Sequence, residues 1–368
     1  MRWAFVGLLV IHGLIHFMGF AKAFGLADLP QLTQPISKPL GIVWLAAGLL
    51  VLLTATTILS AAHSWWVAGL GALLLSQAVI IGSWTDAMYG TVANALLLTG
   101  VIYGIAAEGP ASLRAEYRRE VDARLSRPFS PAPITEPDLE HLPEPVQRYL
   151  QVTGAVSQPR VHHVKASWQG RIRLSATHPW MSFRAVQHNF VDEPSRFFLM
   201  GATRSGLPVD VLHVFRDQAA SMRVRLVSLF PLVDAAGPEP TRAETVTLFN
   251  DLCLLAPGAL IDPSIRWASI DQRSARGYYT VGANTISAVL SFNEAGQLVD
   301  FVSDDRLVAS PDGTTFSAQR WSTPVSDYQS FGGLRAATRG EGRWHPPDGE
   351  FAYIELELLT LEVNGKTL

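Results

Sequence analysis

A single cysteine, Cys253, among 368 residues leaves nothing from which to build a disulfide framework or a cysteine metal site. Charge is scarce as well. Charged residues make up 17% of the chain, against about 25% in an ordinary soluble domain, so a good part of it avoids water. The shortage is local: residues 1–107 hold only Arg2, Lys22, Asp28, Lys38 and Asp86, five of the 61 charged residues. That asymmetry excludes a single soluble globule and a disordered chain. A net charge of −3 with no basic stripe excludes a nucleic-acid binder. Also missing are a Gly-rich phosphate loop, a GxSxG elbow, an HExxH pair and a CxxC pair, so several common enzyme classes lose their support.

What fills the poorly charged third is apolar. Residues 3–20, 40–59, 65–82 and 88–106 each approach the roughly 20 residues that cross about 30 Å of hydrocarbon. Trp3, Trp65, Trp66, Trp84 and Tyr89 stand at their ends, where amphipathic rings favour the headgroup zone. Short links predict an up-down four-helix transmembrane bundle, with Gly13, Gly48, Gly69, Gly71, Ala72 and Ala93 permitting close approach. The first span competes with a secretory signal peptide, since Ala21-Lys22-Ala23 mimics a cleavage site. Its length of eighteen residues, two of them histidines, favours a retained span. Arg2 with Arg114, Arg118, Arg119, Arg124 and Arg127 outweighs Lys22 and Lys38 on the other side. The count predicts a multi-pass protein of the cell inner membrane with both termini cytoplasmic.

The domains expected are the bundle at 1–107, an amphipathic helix and proline-rich linker at 108–144, and a soluble β-rich domain at 145–368. Residues 111–126 carry a narrow apolar stripe of Leu113, Tyr117, Val121 and Leu125. Pro128, Pro131, Pro133, Pro137, Pro143 and Pro145 then interrupt any long helix or strand. Beyond Val161 the pattern alternates. Ile286, Ala288, Leu290 and Phe292 share one face before an Asn293-Glu294-Ala295-Gly296 turn, and similar runs predict a large antiparallel meander. One helix interrupts it: Thr241 and Glu244 read as a capping box, with Val246, Phe249, Cys253 and Ala256 as the apolar stripe. The fold class is therefore membrane α plus an α+β domain, a curved antiparallel sheet with one packed helix and a concavity for an apolar ligand.

The run Phe249-Asn250-Asp251-Leu252-Cys253-Leu254-Leu255-Ala256-Pro257, with Ile265-Arg266-Trp267, Asp305-Arg306 and Trp321-Ser322-Thr323-Pro324, resembles an uncharacterised bacterial domain-of-unknown-function family over about residues 138–368. The amino-terminal part, with Leu14-Ile15-His16-Phe17-Met18-Gly19-Phe20, Ser76-Gln77 and Trp84-Thr85-Asp86, looks like the four-span module of a subset of that family. It is loosely similar to the DoxX-like membrane proteins. The strand pattern is similar to half-barrel lipoprotein carriers and lipid-binding proteins of bacterial envelopes. That resemblance implies an apolar concave face and no established activity.

The chemistry-bearing candidates fall in two groups. In the spans, His12 and His16 lie four apart on one helical face, with Gln77, Asp86 and Asn94 as partners. They serve either a redox or transport role or interhelical hydrogen bonding. In the β-rich domain, Glu244 and Asp251 share a helix face. They are either a solvated face or acid/base or cation-binding groups. Asn250, on the apolar side, either ties the helix to a strand end or meets a ligand. Asp304, Asp305 and Arg306 either brace a strand end or form the mouth of a pocket, which Trp321, Tyr328 and Trp344 also line. The expectation is a membrane-anchored binder of a lipid or other apolar ligand, with no metal or cofactor. Its partners are the bilayer and that ligand, and oligomeric state is left open. A hydrolase-like or metal-dependent enzyme built on the acids, and a redox or transport bundle, are the alternatives.

Overall fold

The amino-terminal helices follow from unbroken apolar sequence with polar punctuation. The computed structural model describes residues 2–129, 132–310 and 313–365. Pro131 of the proline-rich segment lies outside the described residues. Helices α1 (Arg2–Ala23), α2 (Lys38–Leu59), α3 (Trp65–Gly82) and α5 (Gly90–Glu108) are joined by short links, with a one-turn helix α4 (Trp84–Ala87) between α3 and α5. Four helices are long and apolar enough to cross a membrane. At the start of α2, the Leu40 N–H donates to the Ser37 hydroxyl at 3.4 Å and Pro39 occupies the first turn, where its missing N–H costs nothing. Each helix packs on the next, α1 on α2, α2 on α3 and α3 on α5. Ala47, Val51, Leu97 and Val101 are buried, while Ile11, Leu14, Leu53, Leu74 and Leu96 face outward. The α1/α2 contact depends on bare backbone: a Cβ on Gly48 would lie 2.8 Å from the Gly13 carbonyl oxygen, and one on Gly19 2.2 Å from the Trp44 indole.

The chain divides into two compact units after Glu116. Helix α6 (Leu113–Leu125) runs across that division. The second unit takes in most of α6, the proline-rich segment and everything beyond, whereas composition alone sets 108–144 apart. Within the second unit, Tyr117 and Val121 of α6 are buried. After a 3₁₀ turn, Glu136–Leu139, helix α7 (Glu144–Val152) follows.

Strands β1 (His163–Ile172), β2 (Met181–Phe190), β3 (Ser195–Arg204), β4 (Leu207–Arg216), β5 (Ala219–Leu226) and β6 (Phe230–Ala236) form an antiparallel meander. Helix α8 (Pro238–Leu255) then leads to a second run: β7 (Ile265–Asp271), β8 (Ser274–Val281), β9 (Asn284–Phe292), β10 (Leu298–Ser303), the small β11 (Leu307–Ala309) and β12 (Phe316–Ala318) hairpin, β13 (Trp321–Ser322), β14 (Val325–Phe331), β15 (Leu334–Trp344) and β16 (Phe351–Val363). The first strand pairs with the last, so both runs join in one 14-stranded sheet: β6-β5-β4-β3-β2-β1-β16-β15-β13-β10-β9-β8-β7, with β14 on β15. Helix α8 packs against strands of both wings, among them β5, β6, β9 and β10. The main core forms around it, from Tyr149 and Leu150 of α7, Phe249, Leu252 and Cys253 of α8, and Tyr279, Leu290 and Phe301 of the second wing.

Helix α8 corrects the capping-box reading. It begins four residues earlier, at Pro238 with Gly237 as its N-cap, because Gly237 enters at φ +127° and the prolines at 238 and 240 fall in the first turn, where a proline is tolerated. Thr241 is inside the helix. Its hydroxyl donates to the Gly237 carbonyl at 2.6 Å and accepts from the Ala220 N–H of β5 at 2.9 Å. Glu244 is therefore free of any capping duty.

Candidate functional site

The period-2 geometry of β1 to β5 places residues on the face toward α8 in rows that run across the strands. One row is Ala220, Phe215, Arg196, Asn189 and Val164, and the next is Met222, His213, Phe198, Gln187 and Ala166. Helix α8 lies over these two. From it, Glu244 and Asp251 are buried against Arg196. Arg196 donates from Nε to Asp251 Oδ2 and from Nη1 to Glu244 Oε1, both at 2.6 Å. Asp251 Oδ2 also accepts from Gln187 Nε2 at 2.6 Å and Asn189 Nδ2 at 3.0 Å. Glu244 Oε2 faces His213 Nδ1 at 3.8 Å and Arg306 at 4.0 Å. The guanidinium of Arg196 stacks on Phe198, 4.8 Å from its centroid.

These partners split the two acids. Burial opposes ionisation of Glu244, but the charges of Arg196, His213 and Arg306 prevail and hold it well below the ordinary carboxylate range. Burial pushes Asp251 up, the charge of Glu244 adds to that, and Arg196 and Asn189 only partly offset it. Their helix face is thus a buried ionic junction, where the sequence allowed a solvated one.

The other β-domain candidates are likewise engaged. Asn250 Nδ2 donates to the Thr323 hydroxyl at 2.6 Å, tying α8 to the segment before β14. Removing that amide, as in Asn250→Ala, is expected to cost about 1–3 kcal/mol, since it leaves a buried hydroxyl without its donor. Chemical denaturation of the full chain in detergent would register it; an unchanged midpoint would contradict the tie. Asp305 pairs with Arg242 of α8 and accepts the Ser287 N–H at 2.7 Å. Arg306 donates to the Ala243 carbonyl and lies over Trp321, 5.2 Å from its centroid. Asp304 is exposed and paired to Arg320 at 2.7 Å, and the Tyr328 hydroxyl donates to the Leu298 carbonyl at 2.9 Å. Trp321 and Trp344 are buried in the core. Burial pushes the Cys253 thiol well up, which suits an unreactive core residue.

Beyond Phe198 and Gln187 the same sheet face turns wholly apolar. One row reads Val224, Val211, Met200, Ala185, Trp168 and Leu358, and the next Leu226, Val209, Ala202, Phe183, Gly170 and Leu356, across β5, β4, β3, β2, β1 and β16. Six strands at about 4.8 Å spacing make this floor about 24 Å wide. Trp168, Ile172, Val224, Leu226, Ile354 and Leu356 remain partly exposed on it, and the Trp168 Nε1–H is buried without a partner among the described residues. The sequence reading missed this floor and the Arg196, Gln187, Asn189 and His213 edge beside it. Polar residues at every second position after Phe183 and Ala185 were the available signal.

In the bundle, the polar candidates meet. His12 Nε2 lies 3.0 Å from Asn94 Oδ1 and 3.1 Å from the Ser76 hydroxyl, and His16 Nε2 lies 2.8 Å from the same hydroxyl. Asn94 Nδ2 donates to Gln77 Oε1 at 3.0 Å. Asp86 stands apart: it accepts from the Thr33 hydroxyl at 2.6 Å and the Gln34 N–H at 2.9 Å, pinning the α1–α2 loop. Among the described residues, no group of three or more His, Cys, Asp or Glu is placed to hold a metal ion.

The chain thus combines a bundle of membrane-crossing length with a curved antiparallel sheet wrapped on one buried helix. It belongs to the family described as "Family of unknown function (DUF6544)", which matches residues 132–356 and so includes the 249–257 run. No protein of curated function matches it. Among solved structures it is similar to a domain from Vibrio parahaemolyticus whose name refers to outer membrane lipoprotein sorting, at 12% identity and TM-score 0.33 over 55% of this chain and 85% of that one. It is also similar to a LolA superfamily protein from Nitrosomonas europaea, at 13% identity and TM-score 0.31 over 59% and 92%. A DUF1329 family protein from Desulfovibrio piger gives 14% identity and TM-score 0.35 over 60% and 90%.

Proposed function

We propose that this is a membrane-anchored protein whose β-rich unit holds a lipid or other apolar ligand on the sheet face beyond α8. The observation that carries the reading is the pair of rows whose one polar side-chain atom is the Trp168 indole nitrogen, from Val224 to Leu358 and from Leu226 to Leu356. The middle of those rows, Phe183, Ala185, Met200, Ala202, Val209 and Val211, is already buried, so the apolar surface left for a ligand to cover lies on Trp168, Val224, Leu226 and Leu356, at about 25 cal/mol per Å² removed from water. The Trp168 indole N–H supplies one donor for a ligand oxygen. Binding of this kind needs no acid/base group, in keeping with acids that are spent on Arg196, Arg242 and Arg320. Anchorage in the cell inner membrane, with the β-rich unit on the cytoplasmic side, is supported by the excess of Arg2, Arg114, Arg118, Arg119, Arg124 and Arg127 over Lys22 and Lys38.

The test is photocrosslinking of the full chain in detergent with a diazirine-bearing fatty acid, followed by peptide mapping. Labelling is expected on the β1 and β5 peptides that carry Trp168, Val224 and Leu226, and is expected to fall more than tenfold in the Leu226→Glu variant, which puts a charge on the exposed part of the floor. Labelling confined to α1, α2, α3 and α5 would sink the proposal.

A further inference from the structure

We infer that the opposite face of the same sheet carries a second site, for a small zwitterionic molecule bearing a phosphate or carboxylate and an ammonium group. A groove of about 1030 Å³ opens there, lined from β1, β2, β3, β15 and β16 and from Pro324–Ser326. Its volume is that of a small-molecule site. The lining has four guanidinium groups, on Arg171, Arg184, Arg339 and Arg343, against three carboxylates, on Glu341, Glu355 and Glu357.

Most of these charges are committed. Arg171 grips Glu355 through two hydrogen bonds of 2.6 and 2.8 Å. Arg343 holds Glu341 at 2.7 Å and Glu350 at 2.9 Å, and Arg339 pairs with Asp327 at 3.2 Å. Two charges are left over. Arg184 has no hydrogen-bond or ion-pair partner among the described residues, because its neighbours in register are Gln169 on one side and the bare backbone of Gly201 on the other. Glu357 has only an amide, accepting from Gln169 Nε2 at 2.7 Å, and no cation within ion-pair distance among the described residues.

Arg184, Gln169 and Glu357 follow one another across β2, β1 and β16, so the spare cation and the spare anion stand two strand spacings apart, about 10 Å between Cα atoms. Gln169 lies between them in register, and on the far side of Glu357 its register neighbour Arg339 of β15 is taken by Asp327. Ser182 and Thr203 add hydroxyls on the Arg184 side of the groove. A lone anion would be drawn to Arg184 and repelled by Glu357. A molecule carrying both charges satisfies both residues, and Arg184 can grip an oxyanion with two N–H groups. The site stands independently of the apolar floor, which lies on the other face.

The test uses the full chain in an uncharged maltoside detergent and titration calorimetry with O-phosphoethanolamine, inorganic phosphate and ethanolamine. O-phosphoethanolamine is expected to bind about tenfold tighter than either of the others, a difference of about 1.4 kcal/mol. Arg184→Ala is expected to weaken phosphate and O-phosphoethanolamine alike. Glu357→Gln is expected to bring O-phosphoethanolamine down to the level of phosphate. Both positions are exposed, so both variants are expected to fold, and circular dichroism would confirm it. Phosphatidylethanolamine vesicles that displace the free probe would make the source a lipid headgroup; vesicles that do not would make it a free solute. Equal binding of phosphate and O-phosphoethanolamine, an unchanged preference in Glu357→Gln, or no binding of any probe would overturn the inference.

Discussion

Replacing Arg196 with methionine is expected to destabilise the β-rich unit by about 3–5 kcal/mol at neutral pH, a large share of what holds an ordinary domain together. The methionine fills most of the arginine's volume, so the loss reports charge. Glu244 and Asp251 are buried at 5% and 8% exposure, and without the guanidinium they face each other with only amides, His213 and Arg306 for company. The pH dependence separates this cause from a packing defect. In the native protein Glu244 sits below its ordinary value, so its contribution is present at neutral pH and is lost as pH falls toward its depressed value. Asp251 sits above its ordinary value, so its contribution is present in acid and is lost as pH rises through its raised value. Removing Arg196 lifts both acids, and the variant recovers part of its deficit as they take up protons. The gap between native and variant unfolding midpoints, followed by tryptophan fluorescence, is expected to narrow from pH 7 to pH 5. Adding Glu244→Gln and Asp251→Asn is expected to narrow it at pH 7 as well. A deficit that stays constant with pH and survives the triple substitution would mean that Arg196 acts through its bulk.

That junction also marks how far sequence carries. Glu244 and Asp251 were visible as a pair because a helix repeats every 3.6 residues, and their seven-residue spacing, two turns, needs no knowledge of the fold. Their partners were not, because Arg196, Gln187, Asn189 and His213 lie on three strands that only sheet register brings together. Alternation in 286–292 identifies β9 directly, and its burial follows the same alternation. In β14 and β15 no such alternation can be read, because Ser326, Asp327, Arg335, Arg339 and Glu341 break the apolar pattern. Their signal was the turn, Gly332-Gly333, whose φ values of +57° and +99° suit a tight hairpin that glycine adopts freely. The spare charges of the groove were equally hidden. Arg184 and Glu357 are 173 positions apart, and nothing short of the pairing of the first strand with the last puts Gln169 between them.

In the bundle, sequence offered His12, His16, Gln77 and Asn94 as polar candidates, and the residue that joins them only as part of the Ser76-Gln77 motif. Ser76 is that residue: its hydroxyl donates to Asn94 Oδ1 at 3.0 Å and meets both imidazoles, so helices α1, α3 and α5 share one buried oxygen. Interhelical hydrogen bonds in membranes average about 0.6 kcal/mol each, with an upper range near 1.7. Ser76→Ala, which removes three of them without adding bulk, is therefore expected to cost about 2 kcal/mol. Ser76→Leu adds overpacking of about 1–3 kcal/mol, since Ser76 is fully buried. Ser76→Thr keeps the hydroxyl and is expected to fall nearest to the native protein. The order Thr, Ala, Leu in loss of the folded bundle, measured by heating in detergent and counting monodisperse protein, is the signature of a shared hydroxyl. A bundle in which alanine is as stable as serine would instead be held by its glycines, where Gly13 and Gly48 bring α1 and α2 together, and the histidines would then be passengers in the packing rather than its polar lock.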